Sequence, residues 1–184
     1  MKGYILKTPR CIIRELTEAD LHAEYELYDS PHMTDFIPPL SDIDREAQLL
    51  KEYAIRFYGD YGSGMWGIVD ADTGRLIGEA GLDKRTGVDR VKYPYDWMAD
   101  RHCAELGFCI AEDLWGQGYC KEACSAILKY CHEHFGIDTA FARTVEDNVA
   151  SVHVLEDLGF TVYDRLPDKD GGQIVVYRYN LSFS

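Results

Sequence analysis

The segment from Glu105 to Ala123, ELGFCIAEDLWGQGYCKEA, constrains this chain more than any other. Ala104, Leu106, Phe108 and Ile110 alternate with Cys103, Glu105, Gly107 and Cys109, the period of two of a strand. Gly116 and Gly118 bracket Gln117 and mark a turn. Beyond it, Cys120, Ala123, Cys124, Ile127, Leu128, Cys131 and Phe135 recur at helical spacing until Gly136 stops them. The segment reads as strand, glycine turn, helix start. Such a junction gathers backbone N–H groups at the positive end of a helix dipole. It is an anion site suited to phosphate or pyrophosphate.

Two common phosphate turns do not fit. A P-loop requires Gly-x-x-x-x-Gly-Lys-Ser/Thr, and no such string occurs. A dinucleotide-binding turn requires a third glycine where Lys121 stands, and a strand opening a parallel βαβ unit, whereas this strand is not the first of the chain. A coenzyme A turn remains. Here the sequence resembles the GNAT superfamily of N-acetyltransferases, whose pyrophosphate loop is Gln/Arg-x-x-Gly-x-Gly/Ala. Trp115-Gly-Gln-Gly118-Tyr-Cys120 matches the central glycine and departs at both ends, with Trp115 and Cys120. Its Trp-Gly-x-Gly-Tyr form is similar to the ribosomal-protein (RimJ/RimL-type) branch. The stretch from Asn148 through Ser151 to Phe160 resembles that branch's Asn-x-x-Ser-x-x-Val-Leu-Glu-Lys-x-Gly-Phe, with Asp157 for lysine and His153 where arginine is frequent. Leu6 to Leu21 resembles its opening strand and first helix. The three stretches follow in the family's order.

Composition bounds the rest. A chain of 184 residues with 46% hydrophobic content is expected to form one globular domain, residues 1–184. No apolar run approaches the length of a membrane span, and the N-terminus lacks a signal-peptide core, so a cytoplasmic protein without membrane association is expected. The six cysteines form no Cys-x-x-Cys pair and fall mostly on apolar faces, which suits buried reduced thiols. His132 and His134 point to different helix faces, so no metal is expected. Net charge is −13, from 32 acidic and 19 basic residues. That disfavours nucleic acid as a partner and suits a cationic acceptor, although a merely soluble surface explains it equally. The same charge opposes an anionic ligand, and Lys121, at the start of the long helix, is the cation placed to offset it.

Secondary structure is expected as follows. Cys11 to Arg14 is a strand, and Thr17 caps a helix through about Tyr28, with Asp20 in capping-box position. A second helix runs from about Asp42 to Tyr58. Trp66 to Asp70 and Leu76 to Leu82 form a hairpin, and residues 84–101 a long loop. After the strand, turn and helix come a strand over Ala140 to Val145, a short helix capped by Asn148 and ended by Gly159, and strands over Phe160 to Asp164 and Gln173 to Leu181. The order predicts an α/β fold with helices on both faces of a mixed sheet. The GNAT resemblance further implies a mostly antiparallel sheet whose central strands, Cys103 to Ile110 and Ala140 to Val145, splay apart to admit an acetyl-pantetheine arm. Gly107 within the first of these suggests a bulge or a close approach by ligand.

The resemblance implies acetyl-CoA as acetyl donor, an amine-bearing acceptor (a small molecule or a protein N-terminus), and a monomer or homodimer. The coenzyme is expected on Phe108, Cys109, Ile110, Trp115, Gly116, Gln117, Gly118, Tyr119, Cys120, Lys121, Asn148 and Ser151. Acetyl transfer needs an amine freed of its proton, a polarised thioester oxygen and a route for the departing thiolate. Glu105 is the candidate base, with proton affinity raised by apolar neighbours, and Glu79 the second. Either Glu105 takes the proton or it is a structural carboxylate held by backbone or arginine. Many GNAT enzymes use a tyrosine as acid where this chain has Leu155, so Ser151 is the substitute. Backbone N–H groups over Phe108 to Ile110 would polarise the carbonyl oxygen. Phe36, Tyr93, Tyr95 and Trp97, with Asp35 and Asp96, would line the acceptor pocket or pack on their own domain. A non-catalytic acyl-CoA sensor is the alternative function.

Overall fold

The computed structural model describes residues 3–36, 42, 44, 47, 48, 58, 64–83, 94–168 and 171–183. Its strands are β1 (Leu6–Lys7), β2 (Cys11–Arg14), β3 (Met65–Asp70), β4 (Leu76–Asp83), β5 (Cys103–Ile110), β6 (Thr139–Val145), β7 (Thr161–Pro167) and β8 (Gln173–Asn180). Its helices are α1 (Leu21–Tyr28), α2 (Tyr119–Phe135) and α3 (Val149–Asp157). The strands form one sheet in the order β1-β2-β3-β4-β5-β6-β8-β7. Every ladder is antiparallel except β5–β6. The mixed α/β architecture is the one expected, with β1 added as a short hairpin partner of β2. Most of the helix expected over 42–58, and Tyr93 with most of its loop, lie outside the described residues. No helix among the described residues is long and apolar enough to cross a membrane.

Strand alternation decides which helix covers which face. Ala104, Leu106 and Ile110 of β5 join one core with Trp66, Ile68, Ile77 and Leu82. Against them α2 packs Ala123, Cys124, Ile127, Leu128 and Cys131, the stripe its spacing predicted. Burying each large aliphatic side chain there contributes ~1.5–3 kcal/mol. Cys109 points the other way, into a smaller cluster with Leu27, Met33 and Ala111 beside α1. Helices thus cover both faces. All six cysteines are free thiols.

Local chemistry sets the helix ends. The Asp20 carboxylate accepts from the Thr17 backbone N–H at 2.8 Å, the reach-back half of a capping box, and forks with Arg14 at 2.6 and 2.8 Å. Burial opposes ionisation of Asp20, but these bonds outweigh it and hold its carboxyl below the usual range. The stability this carboxylate contributes is present above its unfolded pKa and is lost as pH falls through the lower folded one. Asn148 Oδ1 accepts from Ser151 N–H at 3.1 Å and starts α3.

The central gap follows from register. β5 and β6 pair only at Cys103↔Thr139, Ala104↔Ala140 and Glu105↔Phe141. Beyond Glu105, β5 stays with β4 to Gly78↔Ile110, while β6 stays with β8 to Val145↔Ile174. Two strands held by outer partners that diverge must open a V. Gly107 makes no bulge, and it lines the opening between the two strands. The β4–β5 register is regular there, and a Cβ would lie 3.1 Å from Met65 Sδ. Met65 is one close neighbour that the missing Cβ admits.

Candidate active site

The glycine turn is built as the sequence suggests. A 3-10 turn at Glu112–Leu114 leads out of β5, and the Trp115 ring N–H donates to the Ile110 carbonyl at 2.6 Å. Gly116 and Gly118 both take left-handed conformations, with φ of 71° and 79°. Any other L-residue would be strained there. The first bond of α2 runs from Glu122 N–H to Gly118 O, 3.0 Å. Helix geometry therefore leaves the N–H groups of Tyr119, Cys120 and Lys121 without acceptors inside the helix. This is a donor set that fits a phosphate or diphosphate.

A cleft of about 380 Å³ opens before that turn. Phe108, Cys109, Ile110, Trp115, Gly116, Gly118, Tyr119, Cys120, Lys121, Asn148 and Ser151 line it. Gln117 does not. Its side-chain amide turns back to the Asp113 carbonyl at 2.8 Å, and its backbone N–H to Leu114 O at 3.4 Å, so its polar groups close the turn. Lys121 Nζ lies 3.4 Å from Asp157 Oδ2, both side chains half or more exposed. Such a pair contributes ~0–1 kcal/mol and yields readily to a more strongly charged anion.

A second cleft, about 410 Å³, fills the V between β5 and β6. Glu105, Leu106, Arg143, Val145 and Leu155 line it, and Phe36, Phe108, Asn148 and Ser151 are common to both clefts. Glu105 does not sit in the apolar setting expected. Its two carboxylate oxygens accept from Arg143 Nε and Nη2 at 2.8 and 2.9 Å, across the opening strands. Arg143, at the third alternate position of β6, was unrecognisable as its partner before the strand register was known.

Glu79 has the environment predicted for Glu105. Burial pushes its carboxyl pKa up, against the opposing effect of the Tyr28 hydroxyl, which donates to Glu79 Oε1. It lies opposite Cys109 on the β4–β5 ladder but lines neither cleft. A raised folded pKa means the unfolded state releases this proton first. Stability should therefore fall as pH rises from Glu79's unfolded pKa through its folded one. Glu79→Gln should flatten that slope in denaturant titrations taken across the acidic range. An unchanged slope would place the titration elsewhere.

The acceptor wall is only partly assembled. Phe36 lines both clefts. Tyr95 and Trp97 pack instead on their own domain. Trp97 meets Phe141 and Tyr163 edge to face, Arg178 sits 4.7 Å over its ring, and the Tyr95 hydroxyl donates to Asp164. These partners on β6, β7 and β8 are invisible without the fold. Glu112 ties the segment after α1 to the turn, accepting from Ser30 Oγ and His32 N–H, each at 2.7 Å. Arg10, which the sequence reading passed over, donates to the Gln117 carbonyl at 2.9 Å.

A V between parallel strands, with an anion-ready glycine turn beside it, is a site for a ligand with a phosphate end and an extended arm, as a group-transfer enzyme would hold. Comparison with known proteins gives the family. The profile described as "Acetyltransferase (GNAT) domain" matches residues 10–161. The chain belongs to the GNAT family and is an N-acetyltransferase. It is 26% identical over 159 residues to the protein named uncharacterized N-acetyltransferase YoaA of Bacillus subtilis (strain 168), spanning 85% of this chain and 82% of that one. An acetyltransferase from Agrobacterium tumefaciens str. C58 superposes with a TM-score of 0.71 at 25% identity, over 95% and 93% of the two chains. The ribosomal-protein-S5-alanine acetyltransferase of Vibrio fischeri gives 0.77 at 14% identity, over 95% of each, a likeness of fold alone.

Proposed function

We propose that this protein transfers acetyl from acetyl-CoA to a primary amine by direct attack, with an acceptor that is a small amine or a protein N-terminus. One observation carries the reading. The turn's cleft and the V share Phe108, Asn148 and Ser151, so a donor held at the turn has a path to Glu105. The ribosomal-protein-type branch rests on the Asn148 to Phe160 resemblance.

In this reading the turn N–H groups and Lys121 bind the diphosphate of the donor. Phe108 and Asn148 flank its arm. Backbone N–H groups of β5 beyond Glu105, where β6 no longer pairs, polarise the acetyl oxygen. The amine attacks the carbonyl carbon, and Glu105, oriented by Arg143, takes its proton directly or through water. The carbon–sulfur bond breaks, and the Ser151 hydroxyl hydrogen-bonds the departing sulfur, a role Leu155 has no proton to fill. Glu79 is favoured as base by a specific observation, its upward-shifted carboxyl, and disfavoured by its place outside both clefts.

The test is thiol release from acetyl-CoA across a library of primary amines, proteins and peptides with free N-termini included. Amine-dependent release is expected. Coenzyme binding without release for any amine would leave an acyl-CoA sensor as the function.

A further inference from the structure

We infer that Arg10 is a positioning residue for the coenzyme turn, so that the β1–β2 hairpin, far upstream in sequence, is a working part of the donor site. This rests on the reading that the turn receives the diphosphate of acetyl-CoA. Arg10 stands in the hairpin between β1 and β2. Its guanidinium grips the turn at three places. Nη1 donates to the Gln117 carbonyl at 2.9 Å, Nε donates to Glu122 Oε2 at 2.7 Å, and its carbon lies 4.3 Å over the Tyr119 ring. Glu122 accepts twice more from the hairpin, from Thr8 Oγ1 at 2.6 Å and Arg10 N–H at 2.9 Å.

Peptide planarity gives this grip a direction. The C=O and N–H of one trans peptide point opposite ways. Holding the Gln117 carbonyl on the hairpin side therefore aims the Gly118 N–H away from the hairpin. Gly118 itself lines the donor cleft. The left-handed φ of 79° at Gly118 is the other half of that orientation. Arg10 also answers a charge problem. Glu122 stands in the first turn of α2, close to where an anion would bind. Burial opposes its ionisation, but the bonds from Thr8 and Arg10 outweigh this and hold its carboxyl below the usual range, so it is an anion. Arg10 neutralises it. Loss of Arg10 frees the carbonyl and bares a negative charge beside the diphosphate.

The experiment measures coenzyme A affinity by calorimetry and steady-state rates with two donors, acetyl-CoA and S-acetyl-pantetheine, which lacks the diphosphate. Arg10→Ala should weaken coenzyme A binding by roughly tenfold or more, as loss of a charge-assisted hydrogen bond does. The loss should fall on KM for acetyl-CoA rather than on kcat, and kcat/KM for S-acetyl-pantetheine should stay within about twofold of wild type. Arg10→Lys, which keeps the charge but not the fork, should recover part of the affinity. Glu122→Gln added to Arg10→Ala should recover part by removing the bared charge. Equal affinity in wild type and Arg10→Ala overturns the inference. So do equal losses for both donors, which indicate damaged packing. If Arg10→Ala does not fold, Arg10→Lys decides by the same two-donor comparison. Failure of the wild type to bind coenzyme A overturns the underlying reading of the turn instead.

Discussion

Glu105→Gln is expected to lower turnover by roughly 10²-fold or more at saturating donor and acceptor, the scale of a general-base contribution. A primary amine is largely protonated near neutral pH, and in that form it has no electron pair to attack with. Glutamine keeps the size of Glu105 and one acceptor for the Arg143 fork, whose two bonds of 2.8 and 2.9 Å span β5 and β6. The fold therefore survives the test and the base does not. Ser151→Ala should cost less, about tenfold, because a CoA thiolate leaves tolerably without a proton. The wild-type rate should rise with pH as the acceptor amine loses its proton, and Glu105→Gln should lower the rate across that rise. Pre-steady-state kinetics must first establish that chemistry limits the rate. Full activity in Glu105→Gln would make the Glu105–Arg143 pair a structural clasp, and would pass the role of base to Glu79 or to the acceptor's own ionisation.

The contrast between those two glutamates marks where sequence stops being informative. Periodicity gave β5, α2 and the turn between them because these depend on residues close in the chain. Ala104, Leu106 and Ile110 alternate, α2 repeats its apolar stripe, and Gly118 needs a left-handed φ. The site's cross-chain partners have no such local signal. Arg143 meets Glu105 across 38 positions, Arg10 meets Gln117 across 107, and Tyr28 reaches Glu79 across 51. Which carboxylate meets a tyrosine hydroxyl and which is forked by a guanidinium depends on tertiary structure, not on local sequence. Of the two settings open to Glu105, apolar surroundings or an arginine partner, the structure shows the second. Which of the two settings open to Trp97 and Tyr95 holds was illegible for the same reason. Their partners, Phe141, Tyr163 and Arg178, come from strands that follow them in the chain.

The excess of 13 negative charges sharpens the question of how this protein holds an anionic donor. At the turn, Asp157 stands beside Lys121 and Glu122 beside Arg10, so each nearby cation already faces a carboxylate. Side-chain charge is thus close to balanced locally. If the turn receives the diphosphate as proposed, the net attraction would come mainly from fixed backbone dipoles at the start of α2. These are not displaced as a mobile lysine is, and they depend on backbone conformation.

Gly118→Pro should therefore abolish coenzyme binding. Proline fixes φ near −65°, where this turn has 79°, and it removes the Gly118 N–H altogether. In the wild type, coenzyme A at a hundred times its Kd should add about 2.7 kcal/mol of stability. For a chain of this size that is roughly a 5–10 °C rise in Tm. The rise should grow with the logarithm of coenzyme concentration in wild type and vanish in Gly118→Pro. Gly118→Ala separates the two causes. A Cβ there would come no closer than 3.6 Å to Arg10 Nη2, so nothing clashes, and the N–H remains. Only the left-handed φ is penalised, by about 1–2 kcal/mol. Gly118→Ala should thus keep a measurable but smaller shift at higher coenzyme concentration. Circular dichroism of both variants must show α2 intact. A folded Gly118→Pro protein with an undiminished shift would move the coenzyme away from this turn and leave the glycines with a purely architectural role in starting the helix.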